Sequence, residues 1–322
     1  MDTLSDVLSL LKLHSYGCGG FDVGGDYCLE FGKPAGIKCY AVVSGQGWLS
    51  VDGVAEPVQL KPGDCFLLPR QRAFCLASEL DLPVIDAMAF REISKDAGLN
   101  LPQNGGHCFM VGGHFSLAGN HANSLLEVLP PIVHLQKESD KAALRWCIER
   151  MAQEVREPQP GGQLIAQDIA HMMLVQALRL HLIEGVKGGV GWLFALADKQ
   201  MSKAINAMHE EPGYRWTLQE LATRIGMSRS TFAQKFKDTV GQSPMEYLTR
   251  WRMMVAGDRL VNSTDPVSVI SQALGYESEA AFSTAFKRVT GCSPRQYSLG
   301  GASNSTSDEQ EVSVFAHQVE AV

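Results

Sequence analysis

A sixteen-residue pattern occurs twice in the last third of this 322-residue chain and constrains its fold more than any other feature. Seven identical residues recur at an offset of 50 positions. They are Phe232/Phe282, Phe236/Phe286, Lys237/Lys287, Gly241/Gly291, Ser243/Ser293, Pro244/Pro294 and Tyr247/Tyr297. Because so many matches at one offset do not arise by chance, the pattern predicts one supersecondary unit used twice.

Each copy follows a short amphipathic stretch and a turn that contains glycine. In the first copy, Thr217 and Glu220 predict a capping box at the start of a helix, and Gly226 lies in the turn. In the second copy, a helix is predicted over 267–274 and is followed by Gly275. Helix, turn and helix is the arrangement in which the second helix enters the major groove of DNA.

The repeated phenylalanines lie four residues apart and therefore face the core, which leaves the opposite helix face for DNA. The predicted DNA-binding residues on that face are Arg229, Ser230, Thr231, Gln234 and Lys235 in the first copy, and Ser283, Thr284, Lys287 and Arg288 in the second. Side chains of these types bond to phosphates and base edges. Because the second helix also exposes Ala280 and Ala281, we expect the first helix to read sequence and the second mainly to position the protein.

Charge is distributed unevenly along the chain, whose net charge is −7. Residues 199–298 hold thirteen Lys or Arg against nine Asp or Glu, whereas the rest of the chain is acidic. A basic block in an acidic chain favours a polyanion partner for that block. Two other interpretations are a helical bundle with solvated basic residues and a helix-turn-helix used only for protein contact.

The first half of the chain has the short, regularly spaced apolar runs of an antiparallel barrel or sandwich. The predicted strands include 37–43, 47–51 and 65–68, with an Asp52-Gly53 turn. Helical periodicity then begins at Asp140 and again at Gln163. The second of these helices has an apolar face too broad for one contact surface, which predicts a place in the core or in an oligomer interface.

These patterns predict an α+β fold of two domains. The expected limits are 1–184 for the barrel and two connector helices, 185–198 for a linker, 199–298 for an all-α double helix-turn-helix, and 299–322 for a disordered tail. No run of eighteen apolar residues exists, the N-terminus is acidic, and the eight cysteines form no CxxC pair. We therefore expect a cytoplasmic protein with reduced thiols and no contact with membranes.

Residues from about 202 to 297 resemble the double helix-turn-helix domain of the AraC/XylS family of transcriptional regulators. The matching motifs begin with Leu221-Ala222-x-x-Ile225-Gly226-Met227-Ser228 and end with Gly291-x-Ser293-Pro294. The resemblance implies promoter DNA as a partner and base-facing positions at Ser230, Ala233 and Gln234, and at Ala280, Ala281, Ser283 and Thr284. RNA polymerase is a further candidate partner. The broad apolar face of the helix that begins at Gln163 predicts a homodimer.

Two motifs in the first half, Gly45-x-Gly47-Trp48-Leu49 and Leu60-x-Pro62-Gly63-Asp64-x-x-x-Leu68-Pro69, resemble a cupin barrel. The similarity is to the cupin-like sensor domain of many AraC-type regulators. A catalytic cupin would carry two metal-binding histidines one residue apart, but the corresponding strand contains Lys38, Cys39 and Tyr40. We therefore expect no enzyme activity, catalytic residue, metal or cofactor, and keep a cupin metalloenzyme fused to a DNA-binding domain as the alternative.

Two kinds of signal are candidates for the sensor domain. A small organic effector in the barrel would contact Tyr40 and Trp48. An oxidant would act on Cys18, which lies between glycines, or on Cys108, which follows a histidine. His107, His114 and His121 recur every seven residues, but the glycines between them deny the segment a continuous helix, so we expect scattered histidines and no metal site.

Overall fold

A computed structural model of the protein describes residues 3–10, 14–34, 36–90, 108–116, 129–184 and 191–299. The described chain forms two compact units. Residues between His14 and His181 make a strand unit, and residues 3–10 together with Leu182 onward make a helical unit. The predicted α+β fold with two domains is confirmed, while the exact domain limits stay a prediction. Residues 185–190 of the expected linker and 300–322 of the expected tail lie outside the described residues.

Ten strands within the described ranges form two five-stranded sheets. They are β1 His14–Val23, β2 Cys28–Phe31, β3 Ile37–Gly45, β4 Gly47–Val51, β5 Val58–Leu60, β6 Cys65–Leu68, β7 Phe74–Ala77, β8 Ile85–Asp86, β9 Cys108–Ser116 and β10 Val133–Leu135. The first sheet has the order β1-β9-β3-β6-β10 and the second β5-β4-β7-β2-β8. The predicted strands over 37–43, 47–51 and 65–68 are confirmed as β3, β4 and β6.

The core of the strand unit lies between the two sheets. Val42, Phe66 and Met110 of the first sheet pack in one cluster with Leu49 and Leu76 of the second. The strands are antiparallel except for the β2–β8 pair. Two opposed sheets of alternating side chains therefore enclose one apolar interior, as the cupin resemblance implied.

Two helices, α2 Glu138–Arg156 and α3 Gly162–Glu184, follow the strands, as their periodicity predicted. Helix α2 packs against β1, β3 and β9 of the first sheet. From α3, the ring of His171 lies 6.4 Å from that of Phe115 in β9. The first sheet is thus covered on both faces, by the core and by helices. No helix in the described ranges is long and apolar enough to cross a membrane.

Eight helices of the helical unit have both ends within the described residues. They are α1 Thr3–Leu10, α4 Trp192–Ala195, α5 Lys199–Glu210, α6 Leu218–Arg224, α7 Arg229–Val240, α8 Pro244–Asn262, α9 Val267–Ala273 and α10 Glu279–Thr290. Helix α4 lies where a linker was expected, and it packs against α7 with Trp192 and Leu193 buried. Helix α1, from the opposite end of the chain, packs against α5 and α8.

Each repeated residue has the same physical role in both copies. Phe236 contacts Tyr247 at 5.7 Å between ring centroids, and Phe286 contacts Tyr297 at 5.4 Å. The repeated glycines end α7 and α10 in the left-handed conformation. The side chain of Ser243 caps the helix that follows, and the hydroxyl of Ser293 likewise accepts a backbone N–H. The repeat is therefore two copies of one packed and capped helix pair.

The two copies are joined through residues 211–216, here called the α5–α6 connector. Arg252 of α8 donates to the backbone oxygens of Pro212 at 2.6 Å and Tyr214 at 2.8 Å. Gly213 lies so close to the second copy that an added Cβ would be 2.2 Å from the oxygen of Ala273. The connector of the first copy is thus packed directly against the turn of the second.

Candidate DNA-binding surface and effector site

Helix α7 presents a polar exposed face opposite its buried Phe232 and Phe236. Its N-cap is Ser228, whose hydroxyl accepts from the backbone N–H of Thr231 at 3.2 Å. Arg229, Ser230, Thr231 and Gln234 are all exposed on the first two turns. The amide nitrogen of Gln234 donates to Asp238 at 2.8 Å, which orients the side chain along the helix. The structure therefore brings four of the predicted residues to one surface.

Lys235 differs from the other predicted residues of α7. Its ammonium lies 2.7 Å from Asp198 and 3.3 Å from the side-chain oxygen of Gln200. Asp198 is the N-cap of α5, and this ion pair contributes to lowering the pKa of its carboxyl, although partial burial opposes the shift. Lys235 thus links α7 to α5 through an ion pair. Its charge is therefore not part of the exposed face formed by Arg229, Ser230, Thr231 and Gln234.

Helix α10 repeats this arrangement with different chemistry. Thr284, Lys287 and Arg288 are exposed, whereas Ser283 is only partly exposed. Ser278 caps the helix by accepting from the N–H of Ala281 at 3.2 Å. The hydroxyl of Thr284 donates to the backbone oxygen of Ala280 at 2.9 Å, within the helix. The exposed surface of α10 therefore presents methyl groups near its start and cations near its end.

The predicted capping box at the start of α6 is confirmed. Thr217 accepts from the N–H of Glu220, and the carboxylate of Glu220 accepts from the N–H of Thr217 at 2.8 Å. The Thr217 hydroxyl also donates to this carboxylate at 2.8 Å, and the hydroxyl and the backbone N–H of Thr217 together lower the pKa of Glu220. The two capping bonds satisfy backbone donors that the first turn would otherwise leave unbonded. Helix α6 is thereby fixed at the end that precedes the turn.

Inside the strand unit, Tyr40 forms a polar cluster with Lys38 and His114. The hydroxyl of Tyr40 lies 2.5 Å from Nε2 of His114, and the ammonium of Lys38 lies 3.2 Å from the same nitrogen. Burial, and then the charge of Lys38, lower the pKa of His114 to about 3, so its ring is neutral at neutral pH. Burial lowers the pKa of Lys38 to about 8.

The cluster lies on the inner face of the first sheet. Lys38 pairs with His114 across β3 and β9, and Tyr40 pairs with Phe66 across β3 and β6. Because directly opposed residues share a face, Tyr40 and Phe66 point into the apolar core. The two-residue spacing between Lys38 and Tyr40 could have indicated that both side chains point to the same face of the sheet. A lysine in an apolar strand is, however, also typical of a solvent-facing position.

The other predicted effector residue, Trp48, is not brought into this cluster. Strand β4 alternates, with Gly47, Leu49 and Val51 buried and Trp48 partly exposed between them. Leu49 and Val51 belong to the core cluster, so Trp48 points to the opposite face of the second sheet. Tyr40 and Trp48 therefore do not line one cavity.

The two candidate redox thiols are far apart. Cys18 pairs with Gly113 and Cys108 pairs with Val23 along β1 and β9, which separates them by five positions, roughly 17 Å along the strands. Burial raises the pKa of Cys18 to about 11 and also raises that of Cys108, which is fully buried. The structure instead brings together two other pairs. Cys28 and Cys75 are diagonal neighbours on β2 and β7, and Cys39 and Cys65 are diagonal neighbours on β3 and β6.

Of the histidines considered as metal ligands, His107 and His121 lie outside the described residues. His114 belongs to the cluster with Tyr40, and His134 lies 3.0 Å from the buried carboxylate of Asp64. Asp64 also bonds to Lys141 at 3.1 Å, so it joins β10 and α2 to the turn before β6. Among the described residues, no group of three or more His, Cys, Asp or Glu could hold a metal ion.

Comparison with known families accounts for both units. Residues 2–183 match a family model described as Cupin, and residues 221–299 match one described as Helix-turn-helix domain. The first match alone covers more than half of the chain. The polar cluster of Tyr40 thus lies in the cupin part, and α7 and α10 lie in the helix-turn-helix part.

The chain aligns with transcription regulators over most of their length. The chain is 40% identical to an AraC-like transcription regulator of Streptomyces antibioticus over 298 residues, which are 92% of this chain and 98% of the relative. It is 30% identical to the RCS-specific HTH-type transcriptional activator RclR of Escherichia coli, covering 91% and 96% of the two chains. A solved AdpA DNA-binding domain in complex with target DNA is 26% identical, covers 32% of this chain and 93% of that one, and has a TM-score of 0.31. This chain belongs to the AraC-like transcriptional regulators and carries a cupin domain ahead of its helix-turn-helix DNA-binding domain.

Proposed function

We propose that the protein is a sequence-specific regulator in which a signal received by the cupin domain changes promoter binding. The observation that carries the DNA-binding part is the exposed face of α7, where Arg229, Ser230, Thr231 and Gln234 stand together on a capped helix. Arg and Gln side chains at such positions bond to guanine and adenine edges, and hydroxyls bond to phosphates. On α10, Thr284, Lys287 and Arg288 form a second exposed face, and Ser283 is partly exposed.

The test is selection of binding sites from fragmented genomic DNA with the purified full-length protein. We expect a shared motif with two boxes about one helical turn apart, because one chain carries two recognition helices. Affinity should fall steeply with salt, since Lys and Arg contacts to phosphate release counter-ions. Recovery of no motif, or binding that salt does not weaken, would favour a helix-turn-helix used only for protein contact.

We assign sensing to a small molecule bound inside the cupin domain. This assignment is supported by Tyr40, whose hydroxyl belongs to a polar cluster in an otherwise apolar interior. Buried polar groups in an apolar cavity are the usual means of orienting a ligand. The metalloenzyme alternative is tested by metal analysis of the purified protein, and a stoichiometric bound metal would support it.

An oxidant is the second candidate signal, because the relative from Escherichia coli is described as RCS-specific. The raised pKa values of Cys18 and Cys108 disfavour fast reaction of either thiol, since the thiolate is the reactive form. Running the selection with reduced and oxidised protein in parallel separates the two signals. An oxidant response that survives Cys18→Ser and Cys108→Ser would eliminate these two thiols as its sensors.

We further propose a homodimer formed through α3. Its exposed apolar residues are Leu164, Ile165, Met172 and Ile183. On such a helix, an apolar stripe left in solvent marks an interaction surface. RNA polymerase is the expected partner if the protein activates transcription, and the cytoplasm is its expected location because promoter DNA lies there.

A further inference from the structure

Lys38 is the group in the inner cluster whose charge is least compensated. Its ammonium has one hydrogen-bond partner in the described structure, Nε2 of His114, and two aromatic rings. Those rings belong to Phe31 and Phe74 of the second sheet, with centroids at 5.8 Å and 5.5 Å. Within the described ranges, no carboxylate pairs with Lys38. Lys38 is partly buried, and an ammonium withdrawn from water with no anion beside it is costly.

The hydrogen bonds of the cluster reinforce this imbalance. The ring of His114 is neutral, and its Nε2 faces the ammonium of Lys38. This nitrogen therefore acts as an acceptor and offers one lone pair. The hydroxyl of Tyr40 and the ammonium of Lys38 both converge on that atom. One lone pair serves one strong donor, whereas the ammonium alone has three hydrogens. An added acceptor with negative charge would bond to ammonium hydrogens of Lys38 that His114 cannot accept.

The surroundings of the ammonium specify the rest of such a ligand. Phe31 and Phe74 stack on each other with centroids 4.7 Å apart, and Phe21 meets Phe31 edge-on at 6.0 Å. The ring of Phe66 lies 6.1 Å from that of Tyr40. These rings favour an apolar body beside the charge, because aromatic side chains stabilise a ligand by removing apolar surface from water.

We propose that Lys38, Tyr40 and His114 bind the carboxylate of a small acid with an apolar or aromatic body. Lys38 is the counter-ion, and Tyr40 donates a hydrogen bond to the carboxylate. A single ammonium matches a singly charged group, whereas a phosphate dianion would bring a second charge with no cation to balance it. The inference rests on the proposed function, in which this acid is the effector.

Isothermal titration of the full-length protein with octanoate and benzoate, each compared with its alcohol (1-octanol or benzyl alcohol), tests the proposal. We expect at least one acid to bind tenfold or more tightly than its alcohol. Lys38→Met should weaken binding of that acid at least tenfold. The matched control is Lys33→Met at an exposed position after β2, which should bind as the wild type does. If Lys38→Met does not fold, Tyr40→Phe should still cost severalfold in affinity.

Acids that bind no better than their alcohols, or a folded Lys38→Met protein that binds them normally, would overturn the proposal. Operator binding is measured separately, with and without the acid. If the acid binds through Lys38 but leaves operator affinity unchanged, the site stands and the sensing part of the proposed function fails.

A second inference concerns the methyl groups on helix α10 and rests on an independent observation. Ala280, Ala281 and Thr284 line a shallow exposed depression together with Ala285 and Arg288. Because the hydroxyl of Thr284 donates back to the oxygen of Ala280, its hydrogen bond is used within the helix and its methyl remains for contact. At the same offset of 50, α7 carries Ser230, Thr231 and Gln234.

We infer that α10 recognises thymine through methyl contacts at the positions where α7 uses polar groups. Small apolar side chains pack against the C5-methyl group of thymine in the major groove. The second box would then be specified by Ala280, Ala281 and Thr284 without bonds to base edges. This inference also rests on the proposed function, because it concerns the same DNA complex.

Replacing thymine by uracil in one operator box at a time removes only the methyl groups. Footprinting of Gln234→Ala first identifies the box that α7 contacts. We expect uracil in the other box to weaken binding severalfold and uracil in the α7 box to have less effect. Ala281→Ser should reduce the difference between thymine and uracil. Equal affinity for both bases in the α10 box would refute the inference, whereas failure to obtain any operator would count against the proposed function itself.

Discussion

The packing of the second turn against the α5–α6 connector predicts that two equivalent glycines differ in their tolerance of alanine. Gly226 and Gly275 follow the first helix of each copy, and both adopt positive φ, +70° and +78°. A Cβ on Gly226 would meet nothing within 4 Å. A Cβ on Gly275 would lie 2.3 Å from the backbone oxygen of Gly213, well inside van der Waals contact. Only the second substitution adds a collision to the cost of the left-handed backbone.

The expected losses follow from these two contributions. Gly226→Ala should destabilise the helical unit by about 1–2 kcal/mol, the usual cost of placing a Cβ in the left-handed region. Gly275→Ala should cost roughly 1–3 kcal/mol more, because a backbone atom of the connector must move. Each additional kcal/mol lowers the melting temperature of a domain of this size by about 4–8 °C.

Scanning calorimetry of the full-length protein measures both losses, since each substitution lies in the helical unit. Gly226→Ala serves as the matched control for backbone strain without collision. Equal shifts for the two variants, or a larger shift for Gly226→Ala, would show that the connector does not press on the second turn. The two copies would then not be held together by the packing of Gly275 on the connector.

Three further predictions concern DNA, pH and assembly. Gln234→Ala should weaken operator binding by about 1–3 kcal/mol in a gel-shift titration, whereas Gln153→Ala in α2 should not change it. Desolvation lowers the pKa of buried His209 to about 3. Below pH 6.5 the unfolded state therefore binds a proton on His209 that the folded state does not, and the free energy of unfolding falls with decreasing pH. The contribution of His209 to this loss should reach about 2 kcal/mol at pH 5 in urea titrations, and His209→Gln should remove that contribution while the one from His114 in the strand unit stays. Met172→Lys should yield a folded monomer in sedimentation experiments, and an unchanged dimer would eliminate α3 as the interface.

The helix-turn-helix part was predictable because its signals are local. Caps, glycine turns and the spacing of Phe232 and Phe236 depend on a few neighbouring residues, and the structure has them where the sequence placed them. The ion pair that removes Lys235 from the exposed face was not predictable in the same way. Asp198 is 37 positions away, and only the packing of α5 on α7 brings the two charges together.

The cupin part was harder because alternation along a strand does not say which face is the core. In β3, residues of both faces are buried, since α2 covers the first sheet from outside. Lys38 and Cys39 were therefore equally compatible with the interior. The size and apolar character of Trp48 predicted a position in a ligand cavity. Its neighbour Leu49 points into the core, so Trp48 points to the opposite face of the second sheet. Long-range pairing of strands, which no short motif encodes, decided each of these positions.

Helix α1 gives the chain an unusual topology. Thr3 bonds to Asn206 of α5, and Leu4 and Val7 are buried, although these residues precede the whole strand unit in sequence. Helix α1 thus packs with the helices of the DNA-binding part, although the Cupin family model includes it in residues 2–183. A fragment that starts at residue 191 would leave bare the surfaces of α5 and α8 that α1 covers. A fragment that keeps the whole helical unit together would therefore need residues 3–10 joined ahead of the helices they cover.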